Sequence, residues 1–263
     1  MTDPAKYLEA FLARATIGDD VARLRPDYRV LLIAVDGLPA SHNDDAASEG
    51  LLVRAEKTAV EALAATPLEE TPHVAAWREA YRAFGAKPQR TRNSLEALLR
   101  RAEGGLPRVN RLTDIYNAVS VIHQVPLGGE DLNAYVGSPQ LIRATGTETF
   151  DTSANGEAVI EHPDPGEVVW VDDAGVTCRR WNWRQARRTQ LTPGTTAAVF
   201  ILDALAPITD DQLNATGGEL IHHLRSLNPD LRVATRLVAA STVSTQSDSA
   251  HTDLGSPVQE TSS

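Results

Sequence analysis

The chain has 263 residues, 42% of them hydrophobic and 23% charged, with a formal net charge of −10. That length suffices for one large domain or two small ones and for a core that needs no staples. No run approaches the roughly 20 apolar residues of a membrane span, and the single cysteine, Cys178, excludes an internal disulfide and a cysteine-cluster zinc site.

In chain order, residues 5–15 read as a short amphipathic helix, and the start MTDPAKYLEAF has neither the basic nor the apolar region of a signal peptide. Tyr28 to Val35 is a continuous apolar run before Asp36-Gly37, the pattern of a buried strand ending in a turn. Ala46 to Ala65 has helical composition and stops before Pro67. Pro72 to Phe84 predicts a helix with Val74, Trp77, Tyr81 and Phe84 on one face. After a basic loop, Asn93 and Glu96 form a capping box that opens the helix SLEALLRRAEGG. Thr113 to His123 is a further helix, closed before Pro126. From Leu141 the texture changes to short strands: LIRA, ETFD, EAVIEH, EVVWVDD, GVTCRRW and AAVFILDA. Thr209 to Leu227 returns to helix, Leu231 to Ala239 forms a last short element, and 241–263 is a Ser/Thr-rich tail expected to be disordered. The expected class is α+β, with helices packed on a central β-sandwich.

The total charge argues against a nucleic-acid partner, but its distribution does not. Residues 78–111 carry nine basic and three acidic side chains, and 179–202 carry five arginines and no acid, inside a strongly acidic remainder. Nearly all of this positive charge is arginine, which grips phosphate bidentately and stacks on bases. Arginine-rich solvated helix faces account for part of it as well.

Common catalytic motifs are absent: no P-loop, no G-x-G-x-x-G after a strand, no G-x-S-x-G and no H-E-x-x-H. His222 and His223 are adjacent on a helix and chelate poorly. The loop His42-Asn43-Asp44-Asp45 reads as a polar connection rather than a cation site, so neither metal nor cofactor is expected. Arg179 and Arg180 beside Cys178 would lower the thiol pKa, whereas a strand position makes it a buried structural thiol.

The segment Gly105 to Tyr135, GLPRVNRLTDIYNAVSVIHQVPLGGEDLNAY, resembles the B3/B4 domain of the phenylalanine–tRNA ligase beta subunit. There a V-D-x-T-N-Y helix is followed by G-x-P-x-H-x-F-D. Here Asp114 and Asn117 stand in L-T-D-I-Y-N-A, and Pro126 and Asp131 fall in ungapped register with the family Pro and Asp. Arg143, Ala144, Gly146 and Glu148 are similar to a family R-x-A-x-x-G-E pattern, and Leu202-Asp203-Ala204 to a late L-E-x-A. The resemblance covers about residues 80–210. It suggests one B3/B4-like domain over 1–240, with 1–79 as an α/β extension. SLEALLRR and CRRWNWR look more like free-standing B3/B4 proteins, and a ligase domain is not expected.

The resemblance implies an editing module that hydrolyses mischarged aminoacyl-tRNA, with its pocket between helix and sheet. It implies Asp203 and Asn117 as catalytic residues: Asp203 orients water, and Asn117 holds the amino acid's polar groups. Asp114, Tyr116, Gly128, Gly129, Arg179, Arg180, Trp181 and Trp183 are the implied substrate contacts. Tyr116 replaces the family Thr, Gly128 stands at the family His, and Cys178 to Trp183 replaces a glycine-rich turn. Asp114 and Asn117, one helical turn apart, also suit a brace for the turn near Pro107. Trp181 and Trp183 alternate, so they are expected on one sheet face, either as core or as a platform for the terminal adenine. Arg90, Arg92, Arg100, Arg101, Arg184, Arg187 and Arg188 are the candidate tRNA phosphate contacts. A cytoplasmic protein with tRNA or aminoacyl-tRNA as partner, no DNA and no membrane is the resulting expectation. A noncatalytic RNA- or amino-acid-binding module of the same fold is the alternative.

Overall fold

Strand β2 (Arg29–Asp36) is buried from Val30 to Val35, and β10 (Ala197–Ala204) is buried along its whole length. Such strands require cover on both faces. In this computed structural model, which describes residues 4–40 and 48–240, they pair antiparallel at the centre of a four-stranded sheet. β11 (Arg232–Ala239) flanks β2 and β3 (Leu127–Asp131) flanks β10, giving the order β11-β2-β10-β3. The tail 241–263 and the His42–Asp45 loop lie outside the described residues.

The two faces of this sheet separate two cores, as the alternation of strand side chains dictates. Leu31, Ile33, Val35, Phe200 and Leu202 face a helical layer. It comprises α3 (Glu49–Ala65), α5 (Ser94–Leu99), α6 (Arg111–His123) and α7 (Asp210–Leu227). A Cβ on Gly217 of α7 would stand 2.6 Å from the Leu31 side chain, so glycine permits this close approach. Val30, Leu32, Ala34, Val199 and Ile201 face the other way. They meet α1 (Pro4–Ala13), Trp77 and Tyr81 of α4 (Pro72–Ala83), and Trp170 and Trp181.

The second sheet has the order β1-β4-β7-β8-β9. Its strands are β1 (Thr16–Ile17), β4 (Gln140–Arg143), β7 (Val168–Asp172), β8 (Gly175–Arg179) and β9 (Arg184–Gln185). The hairpin β5 (Phe150–Ala154) and β6 (Glu157–Glu161) lies beside β8. The class is α+β with helices on a β-sandwich, as expected.

Differences from the sequence reading have local causes. β3 has the composition Leu-Gly-Gly-Glu-Asp, without strand propensity, and is held by its pairing to β10. The two-residue strands β1 and β9 and the six-residue helix α2 (Asp19–Leu24) are too short for periodicity to register. The last element is a full eight-residue edge strand. The Asn93 cap forms, with its side chain accepting from Glu96 N at 2.9 Å. Its reciprocal half is missing because the Glu96 carboxylate faces Arg78 and Arg100 instead. Residues 180–183 form a turn, with Arg180 and Trp181 at φ 46° and 67°, so Trp181 and Trp183 do not share a strand face.

Candidate active site

A cavity of about 510 Å³ opens at the β3 edge of the central sheet, where the helical layer meets β7, β8 and the 180–183 turn. Its wall includes Asp203, Asn117, Tyr116, Gly128, Trp181 and Trp183. Arg90, Arg92, Arg100 and Arg101 line it as well. The two ends of this site are tied by backbone: Ser94 N donates to Asn182 O at 3.0 Å. The Arg180 guanidinium reaches Thr91 Oγ1 and stacks 4.6 Å over the Trp183 ring.

Asp203 is buried at the end of β10. Tyr28 donates its hydroxyl to Oδ1 at 2.5 Å, and Asn182 donates Nδ2 to Oδ2 at 3.2 Å. Burial pushes its carboxyl up to about 7, against the pull of these two hydrogen bonds. Asn182 is itself held by Tyr81, whose hydroxyl donates to Oδ1 at 3.0 Å. Asn117 projects from α6 into the cavity wall beside Tyr116, whose phenol burial pushes up to about 12.

Gly128 leaves room that a neighbour takes. A Cβ there would lie 3.2 Å from Gln185 Nε2, which donates to Gly129 O at 2.9 Å. Gln185 from β9 therefore stands at the wall where the family pattern has histidine. A Cβ on Gly129 would meet Leu191 and Phe200, both at 2.8 Å, and Gly129 is not part of the cavity wall.

Asp114 also lies outside the cavity. It accepts from Val109 N at 2.8 Å and from the Ser48 hydroxyl at 3.4 Å, bracing the turn that enters α6. Arg179 is committed elsewhere: Nε and Nη2 donate to Glu167 at 2.9 and 2.7 Å, and Nη1 to Glu161 at 3.0 Å. Arg184 donates to Ser153 O, Arg187 faces Asp151 at 3.5 Å, and Arg188 forks onto Asp172 at 2.9 and 2.7 Å. These four arginines, expected at substrate or phosphate, neutralise the acids around them and do not line the cavity, and neither does Arg180, which faces Glu167 at 3.5 Å and Asp164 at 3.8 Å. Cys178 is a buried thiol in the cavity wall, and burial pushes its pKa well up rather than down.

The first basic segment behaves differently. Arg78, Arg92 and Arg100 share one fully buried carboxylate, Glu96, at 2.7, 3.6 and 3.3 Å. Arg100 also meets Glu69. Arg90 and Arg101 are exposed and make no ion pair among the described residues. Positive charge is therefore in surplus along the segment from Arg90 to Arg101.

Sequence reasoning passed over Glu130. It follows Gly128 by two residues on β3, lines the same cavity and is 1% exposed. Tyr135 donates its hydroxyl to Oε2, while Oε1 makes no hydrogen bond, with the Thr177 hydroxyl nearby but outside bonding geometry. Burial pushes its carboxyl to about 7. The available signal was an acid at the Phe position of the family's P-x-H-x-F-D stretch. His42, Asp44 and Asp45 lie outside the described residues, and no cluster of metal-ligating side chains occurs among those described. No helix among them is long and apolar enough to cross a membrane.

The fold and cavity thus define an α+β domain with a pocket between a helical layer and two sheets. Residues 76–231 match the model of the B3/4 domain family, and the chain belongs to that family. Among solved structures, 83% of this chain aligns with 49% of an N-terminal fragment of the phenylalanyl-tRNA synthetase beta-subunit from Pyrococcus horikoshii. The identity is 12% and the TM-score 0.41, and this chain spans about half of that fragment's length. No curated protein sequence matches the chain.

Proposed function

We propose that the cavity receives the aminoacyl end of a tRNA and hydrolyses its ester in trans. The observation that carries this reading is the surplus guanidinium charge of Arg90 and Arg101 beside a pocket lined by buried, titratable carboxyls. In this reading the terminal phosphates lie against Arg90, Arg92, Arg100 and Arg101, and Trp183 offers a stacking surface to the terminal base. Asp203, once ionised, takes a proton from water as the oxygen attacks the ester carbonyl. The bond to the ribose oxygen breaks, that oxygen takes up the proton, and free amino acid and uncharged tRNA leave. Asn182 and Tyr28 hold the carboxylate, and Asn117 holds the amino acid's polar groups.

Deacylation of a panel of mischarged tRNAs by the purified protein tests this reading. Turnover of at least one substrate, reduced about 100-fold or more in Asp203→Asn, is the expected result. No turnover across the panel refutes the hydrolytic part. The second reading, a binding module without chemistry, is favoured by Gln185 filling the wall at Gly128. It predicts tRNA binding that pocket substitutions weaken, with no hydrolysis.

A further inference from the structure

We infer that the amino acid this cavity receives carries an amine-bearing, cationic side chain, which Glu130 holds among the cavity tryptophans. The inference rests on the aminoacyl-ester reading above and names its substrate class.

Glu130 lies opposite Val199 on β10, and Asp203 follows four residues later on the same strand. The two carboxyls therefore mark positions about 13 Å apart along the strand direction. Neither contacts an arginine, lysine or histidine among the described residues. Arg188, behind Glu130, is forked onto Asp172. The charged and titratable groups around Glu130 are thus Tyr135, Asp172, Arg188 and the Cys178 thiol. A buried carboxyl with one open oxygen and no cation is costly to keep. The Thr177 hydroxyl, also unpaired, offers at most a neutral donor, whereas a ligand ammonium supplies a charged donor and the missing charge together.

The rest of the wall suits the same group. Trp170, Trp181, Trp183 and Tyr116 line the cavity with Glu130, and aromatic faces attract ammonium groups. The arginines repel a cation from their own side, so an amine finds its favourable place at the acid. A purely apolar side chain leaves Oε1 unpaired, and a hydroxyl pairs it without supplying charge. Because burial holds Glu130 near neutrality, an arriving ammonium pulls its titration down, and binding near pH 7 releases a proton.

The test is calorimetric binding of non-hydrolysable 3′-amino-3′-deoxyadenosine amides carrying lysine, norleucine or tyrosine, run in buffers of different ionisation enthalpy. Lysine and norleucine differ by the amine alone. The lysyl compound is expected to bind about tenfold or more tightly than the norleucyl one, with net proton release at pH 7. Glu130→Gln is expected to abolish both the difference and the proton release. Tyr135→Phe, which keeps the carboxyl but removes its hydrogen-bond donor, is expected to weaken lysyl binding selectively and serves if Glu130→Gln fails to fold. Equal lysyl and norleucyl affinity, tighter tyrosyl binding, or a preference that survives Glu130→Gln overturns the inference while leaving the ester reading intact. Failure of all three compounds to bind overturns both.

Discussion

Replacing Asp203 with asparagine separates the cost of a buried charge from the value of its hydrogen bonds. In the native state the carboxyl titrates near 7, against an ordinary value of 3.8. Between these pH values the folded chain holds a proton that the unfolded chain has released. The stability contributed by Asp203 is therefore full below about pH 4 and is lost as pH rises to about 7. The whole span corresponds to about 4 kcal/mol. Asparagine does not titrate, so it escapes this loss. Its own cost is one hydrogen bond: the Tyr28 hydroxyl still finds Oδ1, but the new amide NH2 faces Asn182 Nδ2, donor against donor. Turning the Asn182 amide would make the Tyr81 hydroxyl accept rather than donate, leaving its own hydrogen unpaired instead. That loss is about 1–2 kcal/mol. Asp203→Asn is thus expected to destabilise by about 1 kcal/mol at pH 4, cross zero near pH 5, and stabilise by about 2–3 kcal/mol at pH 8. Urea unfolding of both proteins across pH 4–8 measures this. The other buried groups that titrate in the range, Glu130 near 7 and His73 near 4, are common to both chains and cancel in the difference. A difference that stays constant with pH, or destabilisation that grows toward pH 8, refutes the reasoning.

Gly128→His, which restores the family residue, is expected to displace the Gln185 amide from Gly129 O and cost about 1–3 kcal/mol. Thermal melts of Gly128→His with and without Gln185→Ala should show the second substitution relieving much of that loss. Arg188→Ala strands the buried Asp172 carboxylate and is expected to destabilise by about 3–5 kcal/mol in urea titrations. Arg101→Ala, on an exposed side chain without an ion pair, should leave the melt unchanged. The Cys178 thiol, buried in the cavity wall and pushed up in pKa, should react with aromatic disulfides much more slowly in the native than in urea-treated protein, which a comparison of the two measures.

The central elements were legible because their signals are long. YRVLLIAV and AAVFILDA are apolar runs that only a doubly covered strand accommodates, and α6 and α7 show helical periodicity over three turns or more. The helix carrying Asn117 and the strand carrying Asp203 were therefore placed correctly, and both residues reach the cavity wall. β3 was illegible because its structure is imposed by β10, and Glu130 was overlooked with it. The turn at 180–183 escaped for another reason. Two left-handed residues, Arg180 and Trp181, are neither glycine nor asparagine, so local sequence carries no turn signal there. What holds them is tertiary: Trp181 packs edge-on against Trp77 and Tyr28 at 5.2 and 4.9 Å. Arg180 N donates to Glu167 at 3.1 Å.

The two basic segments looked equivalent in sequence, and their neighbours make them different. A run of arginines without acids neutralises itself only through acids distant in the chain, and the sheet brings Asp151, Glu161, Glu167 and Asp172 to the second segment. In the first segment Arg108 is taken by Glu49 and Glu56, but from Arg78 to Arg101 the ion-pair acids are Glu69 and one buried Glu96 shared among three arginines, so the charge of Arg90 and Arg101 remains directed outward. If seven arginines met phosphate, the salt dependence of single-strand binding would approach a log–log slope of about −5; the four beside the cavity give about −3, and the two without ion pairs about −1.4. If the chain binds RNA as proposed, a narrow strip of positive charge at the pocket, on a chain of net charge −10, would restrain RNA from coating the rest of the surface. In the proposed aminoacyl-tRNA reading, a strand end would be drawn toward the arginines that line the cavity mouth.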